Sequence, residues 1–202
     1  MTIVSLVPKR VAAGSPGSIQ SPDLDPAQFR RAMRQLVGGV SVITTGRGTQ
    51  RTGLVATSVS ALSAEPPTLM FGLNLGSSSF PVLRDHGAFA VNFLTAGQQA
   101  LADRFAGRGG EKGPARYGSA RWTEGVTGAA LLDDALASID CEVEELIERH
   151  SHAIVIGRIR EIRLGREEAA LVYWRGGYDG LGAPSEAATG LSALRLLSGQ
   201  PS

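Results

Sequence analysis

The chain has 202 residues and a mass of 21.1 kDa; 43% of the residues are hydrophobic and 19% are charged. This size and composition suit one globular domain with a substantial core and exclude a chain that is disordered throughout. The formal net charge of +1 gives no general attraction to nucleic acid or to an anionic membrane. The single cysteine, Cys141, excludes an internal disulfide and a multi-cysteine metal site and favours a cytoplasmic location.

Composition at the two ends of the chain predicts three parts. Residues 1–22 contain scattered proline, glycine and serine and no continuous apolar segment, which is typical of a flexible leader and not of a secretory signal. Residues 182–202 are rich in small residues and are expected to form a tail. Residues 23–181 are therefore expected to form one folded domain. No apolar run in the chain reaches the ~18 residues that a membrane-spanning helix needs.

The first predicted element is a helix. Asp25 is a good N-cap and Pro26 suits the first helical position. The apolar stripe of this helix consists of Phe29, Met33, Leu36 and Val37, and the glycine pair 38–39 is expected to end it.

Further along the chain, β-rich runs alternate with short helical segments. Strands are predicted at 40–45, 54–62, 68–73, 88–94, 139–143, 153–164 and 171–174, the last of the series. A short helix is predicted from Ser79 to Asp85, and another, opened by a capping box of Thr95 and Gln98, runs to Phe105. Gly157 predicts a bulge or bend in its strand. Six or seven strands with helices at the connections predict a β-barrel or an α+β domain.

Two clusters of hydroxyl residues are candidates for binding a phosphate. Residues 57–60 read Thr-Ser-Val-Ser, and residues 77–79 are three consecutive serines at the start of a predicted helix. Hydroxyls and unpaired backbone N–H groups at such a position suit an anion. Ordinary turn chemistry and a solvated strand face are the simpler explanation of the same residues.

The segment from Gly107 to Arg121 is a long loop without periodicity. Its basic residues are Arg108, Lys112, Arg116 and Arg121. They could meet the phosphates of a second nucleotide, or they could form an exposed basic surface.

Histidine and cysteine provide the remaining chemistry. His150 and His152 are two residues apart, so on one strand they would point to the same side, but His86 is too distant in sequence to complete an evident zinc site. A histidine facing a cleft could bond a cofactor or move a proton, although a structural role is the simpler interpretation. Cys141 falls on the apolar side of its strand, which predicts a packed, unreactive thiol. The residues alone thus predict a cytoplasmic β-rich domain that could bind a phosphate-bearing ligand.

The order of segments resembles the flavin reductase family, the small reductase components of two-component flavin-dependent monooxygenases such as 4-hydroxyphenylacetate hydroxylase. The similarity covers roughly residues 29–181. The segments that carry it are 29–33, 38–45, 53–63, 65–67, 74–83, 89–94, 104–107, 141–143, 152–159 and 171–175.

This resemblance implies an FMN-binding split β-barrel that works as a homodimer, with the flavin near the subunit interface. It implies an NAD(P)H:flavin oxidoreductase that uses NADH or NADPH to reduce FMN or FAD. The reduced flavin would then diffuse to a separate monooxygenase. Two alternatives stay open: a non-catalytic flavin carrier, and a split-barrel protein that acts through its surface without flavin.

The resemblance also implies site residues. Val55, Ala56, Thr57, Ser58, Val59 and Ser60 would line the flavin ring and ribityl chain, and Asn74, Ser77, Ser78 and Ser79 would hold the phosphate. Asn92, Phe105 and Tyr178 are further candidates for cofactor binding. His152 would be the catalytic residue near the nicotinamide, and no metal site is implied. The sequence departs from many relatives in having Val55 in place of threonine and Ser151 in place of an acidic residue.

Overall fold

A computed structural model describes residues 24–182. The predicted leader and residues 183–202 of the predicted tail lie outside this range. The described chain divides after Met33 into two units, the first of which contains helix α1 and the second all the strands. Within residues 24–182, no helix is long and apolar enough to cross a lipid bilayer.

The helices and strands have the following bounds. The α-helices are α1 (Pro26–Met33), α2 (Ser79–His86) and α3 (Gln99–Phe105), and short 3-10 helices cover Gly48–Gln50, Ala96–Gln98 and Gly113–Tyr117. The strands are β1 (Gly38–Gly39), β2 (Ser41–Thr45), β3 (Thr52–Ala56), β4 (Ser60–Ala64), β5 (Pro67–Asn74), β6 (Ala88–Phe93), β7 (Trp122–Glu124), β8 (Ala130–Leu132), β9 (Ala137–Arg149), β10 (His152–Leu164), β11 (Ala170–Trp174) and β12 (Gly177–Leu181).

The first helix starts as predicted but is shorter than predicted. Asp25 Oδ1 accepts a hydrogen bond of 2.9 Å from the Ala27 N–H, which confirms the cap. The helix ends at Met33, so the prediction that it continues to the glycine pair is wrong. The pair forms strand β1 instead, and a Cβ on Gly38 would lie 2.9 Å from the carbonyl oxygen of Thr57. Gly38 therefore allows a close approach of two chain segments.

Seven antiparallel strands form the main sheet in the order β3-β2-β6-β9-β10-β5-β4. The single strand predicted over 54–62 is wrong, because residues 57–59 separate two strands that lie at opposite edges of this sheet. A connection this short spans at most about 14 Å. The two edges must therefore come close together, so the sheet curls into a barrel that is split beside residues 57–59. This confirms the predicted fold class.

The two longest strands, β9 and β10, form a hairpin of 13 residues on each side. Their register shifts between Ile156 and Gly157, which confirms the predicted bulge. A Cβ on Gly157 would overlap the ring of Phe89, so glycine is required where the bulged strand packs onto the core. The Phe89 ring in turn packs edge-on against Phe71, with 5.1 Å between the ring centroids.

A second sheet has three strands in the order β1-β11-β12. The sequence predicted that the strand over 171–174 would be the last, and β12 shows that this is wrong. The turn before β12 places Arg175 and Gly176 at positive φ, at 51° and 95°. This hairpin brings Tyr178 opposite Tyr173, with 5.4 Å between the ring centroids.

Cys141 lies fully buried in the core of the main sheet. Burial raises the pKa of its thiol to about 12, and the carboxylate of Asp140 adds to the shift. The thiol therefore stays protonated near neutral pH. The predicted packed, unreactive cysteine is confirmed.

Candidate functional site

A cavity of about 400 Å³ opens beside strand β3. Its lining consists of Leu54, Val55, Thr57, Ser77, Phe105, Ala106, Arg108, Arg116, Tyr173 and Tyr178. Val55, Thr57, Ser77, Phe105 and Tyr178 belong to the cofactor set implied by the family resemblance. The structure thus brings residues from five segments, spread over more than half of the chain, to one space.

One wall of the cavity is apolar and aromatic. Phe105 ends helix α3 and packs against strand β3, where a Cβ on Gly53 would lie 2.7 Å from its ring. Tyr173 and Tyr178 add a second aromatic surface from the other sheet. Flat aromatic faces of this kind suit a planar ring system.

The serine loop, residues 74–79, supplies a polar end to the cavity. Asn74 shapes this loop, because its Oδ1 accepts from Gly76 N at 2.8 Å and its carbonyl oxygen accepts from Ser77 N at 3.0 Å. Ser77 lines the cavity, and its Oγ accepts from the N–H of Ser79 at 3.3 Å. Helix α2 begins at Ser79, so the positive end of a helix dipole lies beside Ser77.

Comparisons with known proteins show which family the domain belongs to. Residues 33–182 match the family model described as flavin reductase like domain. The chain belongs to this flavin reductase family.

Two curated relatives carry reductase names. The FMN reductase (NADH) RutF of Cronobacter sakazakii is 35% identical over 156 residues, which are 77% of this chain and 93% of that protein. The flavin-dependent monooxygenase reductase subunit HsaB of Rhodococcus jostii is 33% identical over 165 residues, which are 82% of this chain and 83% of that protein. Both alignments span most of each chain, so the similarity involves the whole domain.

Solved structures show the same fold. BorF, the flavin reductase component of a bacterial two-component tryptophan halogenase, superposes with a TM-score of 0.72 at 29% identity over 78% of this chain and 98% of that one. An NADH:FAD oxidoreductase of Streptomyces globisporus, determined with NAD and FAD fragments, gives 0.71 at 26% identity over 82% and 99%. The split barrel inferred from strand order is therefore the fold of solved flavin reductases.

The cavity of this family member fits a flavin. Its volume of about 400 Å³ is ordinary for a small-molecule site. The aromatic wall suits the ring, whereas Thr57 and Ser77 provide hydroxyl donors. Sequence reasoning did not find Leu54, Ala106 or Tyr173, because neither their residue types nor their spacing marks them as ligand contacts.

Arg108 and Tyr178 contact each other in the lining of the cavity. The guanidinium of Arg108 donates to Asp103 Oδ1 at 2.7 Å and lies 5.4 Å from the centroid of the Tyr178 ring. Burial raises the pKa of Tyr178, and the nearby Asp103 carboxylate adds to the shift. The phenol is therefore a neutral hydrogen-bond donor near pH 7.

The four basic residues of the long loop separate in space. Arg108 and Arg116 line the cavity, whereas Arg121 pairs with Asp134 at 3.3 Å beside a different groove. Lys112 precedes the 3-10 helix Gly113–Tyr117 and does not belong to the cavity lining. The idea that all four meet one nucleotide is therefore not supported by their positions.

His152 lies next to the serine loop. It is the first residue of β10 and pairs in register with Asn74. Ser151 Oγ contacts His152 Nδ1 at 2.9 Å, and the Ser151 carbonyl oxygen accepts from Leu75 N at 3.0 Å. His152 does not line the cavity within this described chain. Its role near a nicotinamide stays a prediction.

The expectation that the two neighbouring histidines share one strand face is wrong. His150 lies in the turn of the β9–β10 hairpin with a φ of 53°, so it does not extend the strand that begins at His152. Among residues 24–182, no group of three histidine, cysteine or acidic side chains is arranged to hold a metal ion.

The other implied cofactor residues have structural contacts. Ser58 Oγ accepts from Gly72 N at 3.0 Å, and Ser60 on β4 pairs in register with Met70. Ala56 is buried at the end of β3, and Val59 packs against the main core. Ser78 precedes helix α2, whereas Ser79 is buried with its Oγ donating to the Gly53 carbonyl oxygen at 3.0 Å. Their contacts with a flavin stay predictions.

Asn92 lies in the interior, away from the cavity. Its amide donates to the Val42 carbonyl oxygen at 3.1 Å, and its Oδ1 accepts from Leu132 N at 2.7 Å and Ser138 Oγ at 2.8 Å. These bonds join strands β2, β8 and β9 to β6. We therefore interpret Asn92 as a structural residue that holds these strands together.

Proposed function

We propose that the protein is an NADH-dependent flavin reductase that binds FMN or FAD in the 400 Å³ cavity and passes reduced flavin to a separate monooxygenase. One observation carries the proposal: an aromatic wall and a serine loop at a helix start face the same space in a chain of the flavin reductase family. The names of the relatives favour catalysis over a carrier role.

The flavin, when bound, supplies a ring that accepts a hydride from the nicotinamide. The chain's own residues bind, orient and exclude water. Phe105, Tyr173 and Tyr178 provide the apolar surface for a planar ring. Ser77, two residues before α2, donates to the phosphate end, where the helix dipole favours negative charge. No protein nucleophile is required for this reaction.

His152 is proposed to position the nicotinamide. His152 is exposed at the start of β10 beside the serine loop, and Ser151 Oγ contacts one ring nitrogen. The other ring nitrogen would then be available for a hydrogen bond to the nicotinamide. This assignment comes from the family resemblance and is supported by the proximity of His152 to Asn74.

A homodimer in the cytoplasm completes the proposal. Support for a dimer comes from apolar side chains on the surface of residues 34–182, among them Leu36, Val37 and Trp174. The cytoplasmic location follows from the single cysteine. Light scattering coupled to size-exclusion chromatography tests the dimer directly, and a monomer at all concentrations would contradict it.

The decisive experiment is anaerobic. Purified protein is mixed with FMN or FAD and with NADH or NADPH, and bleaching of the visible flavin absorption is followed. We expect rapid, protein-dependent bleaching with NADH. Bound flavin that neither nucleotide reduces would favour the carrier.

A thermal unfolding experiment tests the alternative without flavin. A ligand at 100 times its dissociation constant adds about 2.7 kcal/mol to stability. An unchanged melting temperature with excess FMN and FAD would therefore contradict flavin binding.

A further inference from the structure

Arg116 and the serine loop meet at a single backbone atom. The carbonyl oxygen of Gly53 accepts a hydrogen bond from Ser79 Oγ at 3.0 Å and another from Arg116 Nη1. Two donors that share one acceptor lie no more than about 6 Å apart. The guanidinium is thus a neighbour of the serine loop, although the two are far apart in sequence.

The charge of Arg116 is not neutralised by a protein carboxylate. Its Nε donates to the backbone carbonyl oxygen of Glu111 at 3.0 Å, and among the described residues it forms no ion pair. The carboxylates of Glu111 and Asp103 pair with other arginines: Glu111 lies 3.6 Å from Arg104, and Asp103 lies 2.7 Å from Arg108. Arg116 therefore brings a net positive charge to the cavity that it lines.

The next residue holds Arg116 in place. Tyr117 is buried, and its hydroxyl donates to the Thr52 carbonyl oxygen at 2.5 Å, one residue before Gly53. Its ring packs against Phe105 and Trp122, with centroids 5.2 and 4.9 Å away. The 3-10 helix that carries Arg116 is thus anchored on strand β3.

We infer that Arg116 binds the flavin phosphate together with Ser77. A guanidinium has five N–H donors, of which Nε–H and one on Nη1 are used by the protein, so three remain for phosphate oxygens. An anchored guanidinium pays little entropy to bind and matches the geometry of a phosphate. The inference rests on the proposed function, and it assigns Arg116 to the flavin and not to the second nucleotide.

The test compares two flavins that differ only in the phosphate. Dissociation constants for FMN and riboflavin are measured by fluorescence quenching with the unmodified protein, with Arg116→Gln and with Arg121→Gln. The control residue Arg121 comes from the same loop and pairs with Asp134 away from the cavity. We expect Arg116→Gln to weaken FMN at least about tenfold and riboflavin by less than about twofold. Arg121→Gln should change neither.

A second variant keeps the test informative if Arg116→Gln does not fold. Arg116→Lys keeps the charge but loses the planar fork, so it should lower the preference for FMN over riboflavin by less than Arg116→Gln does. If Gln at this position prevents folding, an unchanged preference in Arg116→Lys would overturn the inference.

Other results would overturn the inference in identifiable ways. Equal weakening of FMN and riboflavin by Arg116→Gln would show that the arginine only supports β3. A raised KM for NADH with unchanged FMN affinity would assign it to the second nucleotide. Failure of the unmodified protein to bind either flavin would instead overturn the proposed function itself.

Discussion

Two polar regions of the barrel differ in how their hydrogen-bonding groups are used. Around Asn92, donors and acceptors on β2, β6, β8 and β9 bond one another in the interior. Around Ser77 and Arg116, the protein's own bonds hold the groups in place and leave donors directed to a cavity. Residue type therefore does not separate a structural polar residue from a binding one; the remaining bonding capacity does.

The largest expected effect is a loss of stability, in the polar region around Asn92. Asn92→Ala leaves the Leu132 N–H and the Val42 carbonyl oxygen without their partner in the interior, so we expect a loss of about 2–4 kcal/mol in the free energy of unfolding. Urea denaturation measures it. The folded fraction should keep the FMN-to-riboflavin affinity ratio, and a changed ratio would place Asn92 in the site.

The next effect concerns the rate of flavin reduction. Because His152 is proposed to position the nicotinamide, His152→Ala should slow anaerobic reduction at least about tenfold and change the flavin dissociation constant by less than about twofold. Stopped-flow bleaching and fluorescence titration give the two values. His150→Ala, in the adjacent turn, is the matched control. Equal losses of rate and affinity would argue against a role on the nicotinamide side.

A smaller effect is expected in the region around Ser77 and Arg116. Ser77→Ala removes a hydroxyl that lines the cavity, so FMN should bind about 5- to 10-fold more weakly while riboflavin is little affected. The free energy of unfolding should fall by only about 0.5–1.5 kcal/mol, since Ser77 is half-buried and its Oγ accepts one hydrogen bond, from Ser79 N. Ser58→Ala, from the other hydroxyl cluster, is the control. Equal weakening of FMN and riboflavin by Ser77→Ala would argue against a phosphate role of Ser77.

The smallest effect is a pH dependence of stability at Asp140, a buried residue of β9. Asp140 accepts from Thr127 N at 2.8 Å and from Thr127 Oγ1 at 2.6 Å, yet burial raises the pKa of its carboxyl above the ordinary value. The folded state therefore holds this proton more tightly than the unfolded state does. The resulting stability is fully present below the ordinary Asp pKa of about 3.9 and is lost as pH rises through the folded pKa.

Asp140→Asn provides the reference, because it cannot titrate. The unfolding free energy of the unmodified protein minus that of the variant should be larger at pH 4 than at pH 7. Urea denaturation at the two pH values measures this difference. A difference that grows with pH would mean that the carboxyl pKa is lowered in the fold.

Local signals predicted the elements that depend on neighbouring residues. The capping box of Thr95 and Gln98 is confirmed, with Thr95 N donating to Gln98 Oε1 at 3.0 Å. The bulge at Gly157 is confirmed as well. Strand β12 was missed because Gly177–Leu181 has two glycines and little β-branched character, and its pairing with β11 depends on the turn before it.

The sequence by itself determined the fold class, the family and the residue types of the candidate site, because strand alternation, caps and ordered motifs are local properties of the chain. Only the tertiary structure decided that residues 57–59 connect the two sheet edges, that Asn92 is enclosed, and that Arg116 reaches Gly53 beside the serine loop. These facts depend on which distant backbone atoms meet when the barrel closes. Pairings over such separations have no signature in a single sequence, since many registers satisfy the same hydrophobic pattern.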